Sequence, residues 1–108
     1  MLKLFKNKDT KLFDNSREDI LNASVNVGII HVLEAANTIR RQQFLSEEAI
    51  VNIPQAHLQD YMTTTLAVFV DDKGINGKKI SNEKLGKLVI EATYKVIEQL
   101  PKNIQVQK

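Results

Sequence analysis

The chain has 108 residues, 43% of them hydrophobic and 26% charged. That profile suits one globular domain and excludes both a disordered chain and two ordinary domains. With no cysteine, disulfides, thiolate metal sites and a cysteine nucleophile are excluded as well. The net charge of +2 divides along the chain into +3 over residues 1–12, −6 over 13–72 and +5 over 73–108, an acidic middle between basic ends that suits either head-to-tail self-association or a basic surface for an acidic partner.

Residues 1–14 read as an arm. Lys3-Leu4-Phe5-Lys6-Asn7 and Lys11-Leu12-Phe13-Asp14-Asn15 share the form KLFxN, with a turn-like Asn7-Lys8-Asp9-Thr10 between them. A short β-hairpin fits this pattern, and so does an irregular arm whose Phe5 and Phe13 plug onto helices. The segment has positive charges but no apolar run of signal-peptide length, and no stretch approaches the ~20 apolar residues of a membrane span. The expected setting is the cytoplasm, without membrane contact.

A long helix is expected over residues 15–43. Ser16 offers an N-cap hydroxyl, Glu18 and Asp19 suit the positive end of the helix dipole, and Arg40 and Arg41 suit the negative end. Its length would be about 40 Å. Leu21, Val25, Gly28, Val32, Ala35 and Ile39 recur in steps of four and three, the a/d spacing of a helix that buries a narrow stripe against another helix. Gly28 and Ala35 are small and admit a close crossing. Further apolar residues at Ile20, Val27, Ile29, Ile30, Leu33 and Ala36 widen the stripe. The alternatives are packing within one chain and a homodimer through this helix. The length and the wide stripe favour the homodimer, with the six seam residues as its interface.

A short helix is expected over 46–53, where Ser46-Glu47-Glu48 resembles a start signal and Ala49, Ile50 and Ile53 have helical spacing. Pro54 interrupts it and suits the first turn of a new helix over 54–71. Leu58, Tyr61, Met62, Thr65, Leu66, Phe69 and Val70 keep that period. The runs Thr63-Thr64-Thr65 and Val68-Phe69-Val70 lean toward strand instead. Gly74 and Gly77 mark a loop. A last helix over 82–100 is capped by Ser81 or Asn82, buries Leu85, Leu88, Val89, Ala92, Val96 and Leu100 on one face, and stops at Pro101. The tail 101–108 alternates Ile and Val with polar residues, which suits an edge strand beside the arm or a frayed end. The expected fold is all-α: a small helical bundle with one long N-terminal helix, a short helix, a C-terminal helical hairpin and an optional β-arm.

Chemistry is sparsely marked. His31 and His57 fall on separate helices without HExxH spacing, so no metal, cofactor or catalytic site is assigned. The 72–83 loop fails as a calcium loop, because Gly74 and Lys79 stand where a ligand and an apolar residue are needed. Gly74-Ile75-Asn76-Gly77-Lys78-Lys79 lacks phosphate-loop spacing. Residues 46–66 allow a helix-turn-helix reading, but its second helix carries Asp60 and no Lys or Arg. The expected function is therefore a non-enzymatic adaptor or regulator that acts by protein contact as a homodimer, its other protein partner unidentified. The alternative is a nucleic-acid-binding regulator using Lys73, Lys78, Lys79, Lys84 and Lys87.

Overall fold

The computed structural model describes residues 16–71 and 74–108. The first helix, α1, spans Arg17–Gln42. The Ser16 hydroxyl accepts the Asp19 amide at 3.2 Å, satisfying one of the donors that a helix start leaves open. At the other end the Leu45 amide reaches the Arg40 carbonyl at 2.8 Å and the Phe44 amide reaches Arg41 at 3.3 Å. This is a Schellman ending, which normally places glycine at the left-handed position. Here Phe44 occupies it, at φ 55°, with its side chain 96% exposed. The ring gains no packing, while the β-carbon strains the backbone. Phe44→Gly should therefore raise stability by about 0.5–1 kcal/mol in urea unfolding, after the extra entropy of a glycine in the unfolded chain is discounted. An unchanged or lower midpoint would show that the turn carries no strain.

Strand β1 follows at Val51–Pro54 and leads directly into helix α2, Gln55–Val70. Helix α3 spans Asn82–Glu98, with Ser81 as its N-cap, and strand β2 spans Ile104–Gln107. The two strands pair in parallel, with Val51 opposite Ile104 and Ile53 opposite Val106. The fold is thus mostly helical, and the all-α expectation is corrected by this sheet. The expected helix at 46–53 is replaced by turns and β1. Its apolar residues obey a period of two near the strand: Val51 and Ile53 are buried, Asn52 and Pro54 exposed. The tail neither frays nor lacks a strand partner, because it pairs with β1. The arm, and any pairing it makes, lies outside the described residues.

Residues 63–70 are helical, against the strand leaning of their threonine and valine runs. Thr63 and Thr64 turn their hydroxyls back onto the Gln59 and Asp60 carbonyls, at 2.8 and 3.3 Å, and so satisfy them without leaving the helix. Between α2 and α3, Ile75 and Lys78 exchange two backbone hydrogen bonds around Asn76-Gly77, both at positive φ. That is the tight hairpin turn which Asn-Gly favours. Gly74 has no room for a side chain, since a β-carbon there would lie 1.9 Å from the Lys78 carbonyl oxygen.

The core lies where the three helices meet. Val32, Ala36, Leu58, Met62, Leu66, Ala92 and Val96 have no exposed surface. At the C-terminal end of α1 the sheet closes the bundle, held by Arg40. Its guanidinium donates to the Ala49 carbonyl from Nε (3.1 Å) and Nη2 (2.9 Å), to the Asn103 carbonyl (3.2 Å) and to Asn37 Oδ1 (3.3 Å). The Asn103 carbonyl also accepts the Val51 amide at 2.9 Å. Beyond complementing the helix dipole, which is all that its position in the sequence implies, Arg40 ties α1 to the segments entering both strands.

Candidate functional site: a basic pocket

The seam residues face inward. Leu21, Val25, Gly28 and Val32 are buried in the chain's own core, and Ala35 and Ile39 are half-buried against it. Gly28 sits at the crossing: a β-carbon there would approach Met62 Sδ of α2 to 2.6 Å and Val96 Cγ2 of α3 to 2.8 Å. Gly28 does permit a close helix crossing, and its partners here are helices of the same chain. The outer side of α1 instead shows Ile30, 57% exposed, and Leu33, 37% exposed.

The lysines behave differently. At the end of the bundle away from the sheet, a cavity of about 470 Å³ is lined by Arg17, Lys78, Lys79, Lys84 and Lys87, with Ile75, Ile80 and Leu88 as its apolar wall. The Asn76-Gly77 turn places Lys78 and Lys79 on one rim. The first two turns of α3 place Lys84 and Lys87 on another. Arg17, the first residue of α1, completes the set, and sequence spacing gives no sign that it belongs there. Lys73 lies outside the described residues.

Two carboxylates temper this charge. Arg17 Nη2 donates to Glu91 Oε1, and that bond first, then the neighbouring cations, draws the Glu91 carboxyl below its usual range against the opposing effect of burial. Glu83 lies 3.9 Å from Lys87, with both side chains largely exposed, a loose pair that salt screens readily. Lys78, Lys79 and Lys84 have no carboxylate at ion-pair distance among the described residues. The N-termini of α1 and α3 stand beside the cavity, and their dipoles add positive potential. The arrangement is suited to holding anions, with an apolar wall beside the charges.

The fold also joins the two histidines that the sequence keeps apart. His31 Nε2 on α1 and His57 Nε2 in the first turn of α2 lie 3.1 Å apart. The His31 ring stacks on Tyr61 at a centroid distance of 3.7 Å and 6° between planes. Burial, then the neighbouring His57, keeps the His31 pKa below its usual value, while Glu34 opposes the shift. No local signal could reveal this pair, because it depends on how α1 and α2 cross.

No helix among the described residues is long and apolar enough to cross a membrane. Comparison with protein-family models, with curated proteins and with solved structures finds no match for this chain.

Proposed function

We propose that the protein is a small non-enzymatic regulator of the cytoplasm that binds nucleic acid through its phosphate backbone at the basic pocket. The observation that supports this reading is the convergence of Lys78, Lys79, Lys84 and Lys87 with Arg17 around one cavity. Phosphate contacts supply most of the affinity in such binding and require clustered cations. Contacts from the pocket's cations to phosphate carry no sequence information, so the expected binding is insensitive to sequence.

The test is anisotropy of a labelled generic duplex titrated with the protein across a range of salt. Binding should weaken steeply as salt rises. Lys78→Glu combined with Lys79→Glu should weaken it at least about tenfold and lower the salt slope by about 2, because two fewer phosphates are neutralised. Binding that survives the double substitution unchanged would place the site elsewhere.

The second reading is a protein adaptor working as a homodimer. Its support is the exposed pair Ile30 and Leu33 on the outer side of α1, since the seam residues are engaged inside the protomer. Failure to bind any duplex at low salt would make this the working reading.

A further inference from the structure

The His31–His57 pair lies outside the basic pocket and serves no part of the function proposed above. Its Nε2 atoms are 3.1 Å apart, and the rings are inclined by 23° with centroids 5.3 Å apart. The pair opens onto a cavity of about 420 Å³, walled by Ala35, Ile39, Ile53 and Pro54 and edged by Thr38.

Two imidazole nitrogens bound to one metal ion at about 2.0–2.1 Å are separated by about 2.9 Å when cis in a square plane and by about 3.4 Å in a tetrahedron. The observed spacing falls between these values. Both ligands stand on helices. The stack of His31 on Tyr61 holds one ring, and the two rings face each other nearly end to end, so the exposed His57 ring tilts to bring both lone pairs onto one metal.

We propose that His31 and His57 form a two-imidazole chelate for a divalent transition metal, copper(II) or zinc(II) in class. Among the described residues no group of three or more His, Cys, Asp or Glu side chains converges, so the remaining coordination positions go to water or a small anion. The chemistry balances without a co-reactant. In the metal-free pair, one Nε2–H donates to the other Nε2. On binding, that proton moves through solvent to Nδ1 of its own ring, and both Nε2 lone pairs turn to the metal. The imidazoles stay neutral, and no electron is transferred.

The chain contains only two histidines, which makes the test direct. Tag-free protein is titrated with copper(II) and followed by electron paramagnetic resonance, where bound imidazole nitrogens give a recognisable hyperfine pattern. The expected result is at least two imidazole nitrogens per copper. His57→Ala and, separately, His31→Ala should each weaken binding at least about tenfold, because losing a ligand costs no less than losing a group that supports one. Circular dichroism confirms that each variant is folded. His57→Gln serves as a second, milder variant, since the His57 side chain is exposed. Copper held by fewer than two imidazole nitrogens, or with undiminished affinity in a folded His57 variant, would overturn the chelate.

Discussion

Gly28→Leu should cost the protein about 3 kcal/mol or more, lowering the thermal midpoint by roughly 10–20 °C for a domain of this size. The new side chain would have to enter the three-helix crossing, where even its first carbon meets Met62 Sδ at 2.6 Å and Val96 Cγ2 at 2.8 Å. Overpacking of this kind forces side chains off their rotamers or moves the backbone. The smaller change, Gly28→Ala, separates two opposing terms. Alanine favours the helix by about 1 kcal/mol over glycine. Against this, the Met62 thioether can swing aside, but the β-branched Val96 has little freedom to do so. Gly28→Ala should therefore be mildly destabilising alone, and its cost should vanish in a Val96→Ala background, a coupling that a double-mutant cycle measures apart from the loss that Val96→Ala itself causes in the core. The melting point should not depend on protein concentration. A Gly28→Leu protein that melts normally but changes its mass in solution would return the seam to an interface between chains.

Removing the Arg40 guanidinium should have a comparable effect by a different route. Arg40→Leu keeps much of the aliphatic stem but leaves the Ala49 carbonyl without its donors and the Asn103 carbonyl with only the Val51 amide. A buried carbonyl deprived of its partner costs about 1–3 kcal/mol, these part-buried ones up to that range, and the severed link between α1 and the strand entries adds to this. The expected loss is about 3 kcal/mol in urea unfolding. Arg40→Lys should recover only a small part, because a point charge cannot reach three acceptors in the directions that a planar fork does. No carboxylate among the described residues pairs with Arg40, so the destabilisation should be almost independent of salt. A loss below about 0.5 kcal/mol would mean that water replaces the guanidinium without penalty.

These two residues show what local pattern can and cannot convey. Helix ends with chemical caps are legible: Ser16 and Ser81 both cap as their positions imply, and α1 and α3 fall within one or two residues of their expected bounds. The period of three and four also identifies the inward faces, including Leu58, Met62 and Leu66 on α2 and Leu88, Ala92 and Val96 on α3. The sheet is not legible in the same way. Four-residue parallel strands give little pattern, and Val51 finds its partner only at Ile104. Ala49, Ile50 and Ile53 mimic helical spacing, while the alternation of Val51, Asn52 and Ile53 is the better guide. Asn76-Gly77 is a hairpin signal as well as a break, and the glycines alone convey only the break. The lysine cluster can be found along the chain, yet Arg17 joins it solely through packing. Phe44 occupies a glycine position, so no residue type announces the turn.

The parallel sheet has a further consequence for the order of events in folding. It fastens together two points separated by the whole of α2 and α3, and closing so long a loop costs entropy before the strand bonds return any. The contacts of α2 with α1 and α3, its neighbours in the chain, need no such closure and can assemble first. The α1–α3 crossing, where Gly28 meets Val96, closes a longer stretch still. The strands engage last, once their ends have been brought together. In that order the sheet acts as a clasp: it contributes little to the speed of folding and most to the lifetime of the folded state. Weakening it would let the bundle open more often without slowing its formation.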